Sequence, residues 1–501
     1  PRHELAIGLV IPPELVPVLQ LLGQHRCGIQ QAAVGGPGQR VGIGNLRLQR
    51  GQRVFENARG DFEILQFDSF TTQADLAPPA AALADAAARL RAHAVFADTP
   101  MPTTRLEDWR YTDIKKLLKL DAFSFAEERS PVADAAALPA GVRALMDEAG
   151  EASARMVQVD ASVVLRELPE ELAAQGVIFT SLETAAREHP ELVQKHFGTA
   201  VTPEDGKFAA LSAAFWTGGA FLYVPRDVQV EVPFRVYRWI SEGGTTALGR
   251  LLVIAERGAR VAVVEELGSD DLGKTALSVG AAEIFADDSA AVIYTQVQRY
   301  GRGVVHLATD RLVAGRDARI TTLYTSFGAD VSRADVQCRM VAPGSHVDML
   351  GLYIADGKQH FDNQTLQDHI APHASSNLLF KGALNDAGRS VFRGLIRVHP
   401  KAQRTDAYQT NRNLLLSDGA RADSLPNLEI QADDVRCSHA ATVGQLDEEE
   451  VFYLLSRGIP KPEAVRLVVF GFFSEVLDQL PLEGVRAELL RVVERKLAPS
   501  L

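Results

Sequence analysis

The chain has 501 residues, of which 46 % are hydrophobic, and a formal net charge of −12. That length allows about three structural units, with ample apolar material for a core, while the acidic balance argues against nucleic acid or an anionic membrane as the main partner, because both demand a basic footprint. The three cysteines, Cys27, Cys338 and Cys437, cannot all pair within one chain, which suits a reducing compartment.

No run of about 18 apolar residues occurs, so no transmembrane helix is expected. The apolar stretch Leu5–Gly23 contains Pro12, Pro13, Pro17 and Glu14. A signal peptide wants a basic head and an uninterrupted apolar segment, so the expectation is a chain that is not exported and works in the cytoplasm. Gln31–Arg53 is rich in Gly, Gln and Arg with little periodicity, and no Met precedes Met101. Two readings of residues 1–73 stand side by side: a flexible extension, or an upstream frame carried into the gene model by mistake. No chemistry is assigned there.

Residues 78–96 are Ala-rich with Leu at helical spacing, which predicts a helix. In Thr104–Leu120, Thr112 and Asp113 are placed to cap a short helix carrying Ile114, Leu117 and Leu118 on one face. Further helical patterns cover Thr180–His189 and Pro203–Trp216. Residues 74–216 therefore form an expected N-terminal, mainly helical domain.

From 217 to 446 the pattern changes to short β-branched runs divided by Gly, Asp and Ser turns, such as Arg250–Ala255, Arg260–Glu265, Ala291–Val297, Ile320–Tyr324 and His346–Tyr353. A small residue that follows a turn and opens a strand recurs at Ala259, Ser289, Ala318, Ser345, Ala374 and Ala402, in steps of 30, 29, 27, 29 and 28 residues. Such a period predicts stacked coils of one repeating unit, a β-solenoid or β-helix; hairpins of similar length in a β-sandwich are the alternative. A solenoid leaves its terminal coils uncapped, so flanking domains or a partner must cover the ends.

Residues 447–501 return to helical periodicity. Asp447 is an N-cap with Glu450 at the capping-box position, Gly458 is a stop, and Pro462 starts the next helix. That helix, EAVRLVVFGFFSEVLDQL, is apolar over most of its circumference. It suits a packed core, or a surface that covers a partner. Gly484–Leu497 is amphipathic.

Cys437 and His439 end the β region. A thiolate and an imidazole at this spacing suit iron or zinc. Two ligands are too few for a closed tetrahedral site, so any metal here needs further ligands from another chain or is held transiently; a buried Cys beside a hydrogen-bonded His is the plainer alternative. A second group, His360, His369 and His373 with Asp362 and Asp368, has metal-site composition. On a strand, however, His360 and His369 face opposite sides, which favours structural hydrogen bonding. No G-x-x-x-x-G-K-[ST] phosphate loop and no G-x-S-x-G elbow occurs. Asp287-Asp288 and Asp433-Asp434 are most simply turn residues.

Several long segments resemble the SufB/SufD family of iron–sulfur cluster assembly proteins. They are DWRYTDI (108–114), DHIAPHASSNLLFKGAL (368–384), GRSVFRGLIRV (388–398) and AYQTNRNLLLSDGARADSLPNLEIQADDVRCSHAATVGQLDEEEVFYLLSRGI (407–459). The likeness covers most of residues 74–501. SufB-like chains carry C-E-H-E-A-T where SufD-like chains carry C-S-H-G-A-T. Cys437-Ser438-His439-Ala440-Ala441-Thr442 resembles the SufD branch, with Ala440 in place of the usual Gly.

The resemblance implies a mainly β fold: a right-handed parallel β-helix core flanked by N-terminal and C-terminal helical domains. It implies a non-catalytic scaffold that pairs with SufB through the β-helices and binds the ATPase SufC through the C-terminal helices, with Phe452, Val468, Phe472 and Phe473 as the docking side chains. It further implies a transient iron–sulfur cluster at the SufB interface, with His439 and Cys437 as its cofactor-binding and metal-ligating residues on this chain. A homodimer of the isolated chain, or a SufB-like role in a homodimer, is the near alternative. A β-helix enzyme acting on polysaccharides is the alternative of a different class; such proteins are usually exported and line a groove with several Asp, Lys or Arg residues.

Overall fold

A computed structural model describes Gln52–Glu56, Phe62–Gln66 and residues 83–497. The chain divides into two compact units, Pro1–Ala88 and Arg89–Leu501. In the first, the strands Gln52–Glu56 and Phe62–Gln66 pair antiparallel, with Gln52 opposite Gln66. Most of what the sequence suggests about residues 1–73, Cys27 included, lies outside the described residues.

In the second unit the chain winds into a parallel β-solenoid of about eight turns. Each full turn gives one strand to each of two sheets. The first sheet runs from Gly219–Val224 through Arg250–Ala255, Ala276–Ala286, Val304–Ala314, Val331–Met340, His360–His369 and Arg389–Val398 to Arg421–Ile430. The second runs from Phe234–Ile240 through Arg260–Ser269, Ala291–Arg299, Arg319–Ser326, His346–Ala355, Ser375–Leu384 and Asp406–Leu415 to Arg436–Gln445. Pairing stays in register from coil to coil, so each side chain stacks on its equivalent. The lumen is filled by such columns, among them Val253, Ile284 and Leu312 of the first sheet and Val261, Val292 and Ile320 of the second.

The coil corners explain the sequence period. A residue in the left-handed region turns the chain, and the next residue, small and buried, packs under the corner. The pairs are Gly258–Ala259, Asp317–Ala318, Gly344–Ser345 and His373–Ala374. Two expected positions shift. Ser289 is itself the left-handed residue (φ 59°), and the buried small residue is Ala290. The last corner is Arg404–Thr405 rather than Ala402, because Asp406 pairs with Ser375. Gly and Asp take the left-handed conformation at low cost, as at Gly258, Asp317 and Gly344, whereas Ser289, His373 and Arg404 adopt it at the other corners.

The segment 74–216, expected to be mainly helical, also supplies strands. Ala154–Val159 extends the second sheet parallel to Phe234–Ile240, and Ser162–Glu167 closes that edge antiparallel. Ile178–Ser181 closes the first sheet antiparallel to Gly219–Val224. Helices Leu83–Asp98, Ala140–Glu148 and Lys207–Phe215 are the longest in this region. The N-terminal end of the solenoid is thus capped by strands that reverse direction.

Three helices follow the solenoid: α1 (Glu448–Ser456), α2 (Lys461–Leu477) and α3 (Glu483–Leu497). Val465, Val469, Phe473 and Val476 of α2 pack with Leu323, Leu350, Leu352 and Leu379 on the outer face of the second sheet. Charged anchors fix the arrangement. Arg235 donates to Glu488 of α3 at 3.0 Å. Buried Lys381 donates to the Phe472 carbonyl at 2.7 Å and to Glu475. Lys496 reaches Asp356 at 2.7 Å. No helix of the described residues is long and apolar enough to cross a membrane.

Two imidazoles are sealed in the lumen. Burial pushes His306 down to about 3 and His369 down to about 4. Both are neutral in the fold and free to take a proton when unfolded. Their contribution to stability is therefore present above the ordinary value of 6.5 and is lost as pH falls toward 4 and 3. Equilibrium unfolding between about pH 6 and pH 4 should show falling stability, and His369→Gln should remove up to about 3 kcal/mol of that fall; an unchanged acid slope would contradict it.

Candidate functional site

Among the described residues, nothing caps the C-terminal end of the solenoid. Arg421–Ile430 and Arg436–Gln445 each have a neighbour on one side alone. One coil below, Ile396 and Val398 are fully buried, yet Leu428 and Ile430, stacked directly on them, are 38 % and 41 % exposed. Val443 stacks on buried Asn413 and is likewise exposed. The open end therefore presents an apolar lumen rim and two unpaired strand edges.

The two edges differ. In a parallel ladder the backbone groups of successive residues point alternately to either neighbour. Arg421 N donates inward to Gly388, so even-numbered residues of that strand, Pro426 among them, face outward. Proline has no N–H, so this edge lacks a donor at its centre. Arg436 N donates inward to Thr405, which leaves Cys437, His439, Ala441 and Val443 with outward N–H groups. The second-sheet edge is thus a ten-residue strand with no proline and no acidic residue. It is a ready template for strand addition.

Cys437 and His439 occupy that edge strand on one face. Cys437 packs against Ile396, Val398 and Ala407, so both side chains sit on the lumen side, and the missing next coil exposes His439. Partial burial, then the nearby Asp406 carboxylate, push the Cys437 thiol up. The thiol is therefore protonated at neutral pH, and ligation there releases a proton. Among the described residues no three His, Cys, Asp or Glu side chains converge to hold a metal ion within one chain. Cys338 is elsewhere: it is fully buried in the lumen, and burial drives its thiol far up, as for a structural cysteine.

The second histidine group falls apart as strand parity requires. His360 points outward and shares a hydrogen bond with Thr112 Oγ1 at 2.8 Å, while that hydroxyl donates to Asp362 at 2.6 Å. His369 points into the lumen against Ser376 Oγ at 2.8 Å. His373 is a corner residue with φ 58°. The DWRYTDI segment is explained by the same contacts. It is a strap on the outer face of the first sheet, with Arg333 over the Trp109 ring at 4.1 Å and Arg393 paired to Glu107 and Asp108.

The four side chains expected to dock SufC separate. Phe452 is 70 % exposed, and Val468 and Phe472 are half-buried. Phe473 is wholly buried against the solenoid and is withdrawn from any docking surface. The sequence reasoning missed Tyr453 and Leu467, both exposed beside Val468 in a shallow groove rimmed by Asp447, Glu449 and Glu450. It also passed over Pro426, although a proline inside a strand pattern signals an edge.

Residues 238–472 match the family described as "SUF system FeS cluster assembly, SufBD core domain", and residues 67–236 match "SufBD protein N-terminal region". The iron–sulfur cluster assembly protein SufD of Bacillus subtilis is 35 % identical over 81 % of this chain and 93 % of its own length. The chain belongs to the SufB/SufD family. SufB of the same organism is 29 % identical over 69 % of this chain and 74 % of its own length, and a SufBD family protein of Staphylococcus saprophyticus is 30 % identical over the same shares. The chain is thus an iron–sulfur cluster assembly protein of this family, nearer in sequence to the B. subtilis SufD than to the SufB. The N-terminal match begins at residue 67, a few residues inside the segment that the sequence motifs had left outside the likeness.

Cys437 and Cys338 should differ sharply toward a thiol reagent. Under native conditions Cys437 should be alkylated and Cys338 protected, by peptide mass measurement; labelling of Cys338 at a similar rate would contradict the lumen assignment.

Proposed function

We propose that the chain is a SufD-like, non-catalytic scaffold subunit that completes an iron–sulfur assembly site by adding a SufB-type sister chain to its open solenoid end. The observation that carries this is the second-sheet edge: outward N–H groups and the Cys437 and His439 side chains lie on one uncovered strand. Strand addition supplies backbone hydrogen bonds, and burying Leu428, Ile430 and Val443 supplies the apolar term. The nascent cluster is the cargo. His439 and Cys437 offer one imidazole and one thiolate to it, and the sister chain offers the remaining ligands, which removes the shortage of donors within this chain. The acquisition of iron and sulfur at this face is coupled to loss of the Cys437 proton.

The exposed side of α1 and α2, with Phe452, Tyr453, Leu467 and Val468, is the docking surface for a SufC-type ATPase, which supplies the ATP chemistry. The route from that surface to the site is short. Glu475 of α2 pairs with Lys381 and with Arg412 (3.1 Å), and Arg412 lies in register with Thr442 on the edge strand. In the isolated chain the uncovered edge also suits a second copy, giving a homodimer that the sister chain displaces.

His439→Ala should fold and join the complex but lose cluster formation by at least about tenfold, read from visible absorbance after supplying iron(II) and sulfide; parent-like assembly would remove His439 from the site. Ala441→Pro deletes one outward donor without touching the inward ladder. It should leave the melting temperature nearly unchanged and weaken sister-chain binding about tenfold or more, by titration; undiminished binding would contradict strand addition at this edge.

A further inference from the structure

We propose that Gln409 is a positioning residue for His439, acting on the imidazole from one coil below; this rests on the reading of the end face given above. Gln409 and His439 are register partners across the last two strands of the second sheet, about 4.8 Å apart along the stack and with side chains on the same lumen face. Gln409 is fully buried, and neither its Oε1 nor its Nε2 has a hydrogen-bond partner.

The neighbouring amide shows how unusual that is. Asn411, next on the same face, donates to the Phe380 carbonyl and to Tyr353 Oη, both at 3.1 Å, and accepts from Asn413 at 2.8 Å and Ser424 at 2.7 Å. Its hydrogen-bonding capacity is used within the lumen. That of Gln409 is not, and the ring stacked above it is that of His439.

The opposite sheet makes room for the carboxamide. A Cβ at Gly394 would come within 2.6 Å of Nε2, Cδ and Oε1 of Gln409, so the absence of a side chain at 394 is what lets the amide lie across the lumen. One coil below, Leu378 is the register partner of Gln409, and Gln367 donates to Ser376 Oγ at 2.7 Å and to the Tyr408 carbonyl at 3.2 Å. The unused carbonyl oxygen of Gln409 is the acceptor offered to an imidazole N–H from His439, a bond that would select one tautomer and leave the other ring nitrogen bare toward the end face. An imidazole that ligates through one nitrogen needs its second N–H held by such an acceptor.

The test uses the whole chain with labelled histidine, and the same chain in complex with a SufB-type sister. His439 signals are assigned by their loss in His439→Ala. Gln409→Leu keeps the volume and removes both polar atoms, and Gly394→Ala displaces the amide. Either change should shift the His439 ring-nitrogen resonances toward a mixed tautomer. Each should also slow cluster formation from iron(II) and sulfide by about tenfold, with sister-chain binding unchanged. Should Gln409→Leu fail to fold, Gln409→Met is judged by the same signals. Parent-like resonances and rates in these variants, with His439→Ala still deficient, would overturn the inference. Parent-like assembly by His439→Ala would instead overturn the reading beneath it.

Discussion

The structure depends on an unfinished ladder. A parallel solenoid satisfies its backbone by stacking coil on coil, and each coil borrows half of its hydrogen bonds from the next. At the N-terminal end the debt is closed by Ser162–Glu167 and Ile178–Ser181, which run antiparallel and end the stack. At the C-terminal end nothing among the described residues plays that part. Two ten-residue strands stand open, and lumen residues such as Leu428, Ile430 and Val443 meet solvent although their counterparts one coil down are sealed. An end of this kind in a folded protein is a binding surface or an aggregation site. Cys437 and His439 lie on it, so in the proposed function burial of the edge and completion of the ligand set are one event.

The remaining parts hold that edge in a defined relation to the C-terminal helices. α2 lays Val465, Val469, Phe473 and Val476 along the second sheet, and Lys381, Arg235 and Lys496 pin the helices at separate coils. The fully buried Arg235–Glu488 pair contributes little net stability, but breaking one partner leaves the other uncompensated, so it fixes position more than it adds free energy. Glu475 links α2 to Lys381 and Arg412 of the second sheet, and Arg412 lies in register with Thr442 of the edge strand.

Much of this was legible in the sequence, for local reasons. The near-constant step between turn residues reports the coil length directly, since every corner needs a left-handed residue and a small buried one. The one-residue offset at Ser289 arose because that serine fills the first role and Ala290 the second. The odd spacing of His360 and His369 was enough to separate them onto opposite faces. What the sequence hid depends on distant partners. Ala154–Val159 and Ile178–Ser181 are short apolar runs that become strands by pairing with residues some tens of positions later. Phe473 looks like its neighbours on an apolar helix, and only the apolar outer face of the second sheet decides that it is core. Gln409 carries no signal of its own, because its significance comes from its register with His439 and the missing side chain at Gly394.

The most direct measurement is residue-resolved amide exchange across Arg436–Gln445, in the free chain and in the complex with a SufB-type sister. The account requires the outward amides of Cys437, His439, Ala441 and Val443 to exchange freely in the isolated monomer and to be slowed at least about tenfold once the sister chain is bound. Unchanged exchange at those four amides in an intact complex would mean that the two chains meet elsewhere, and the edge would no longer be the site.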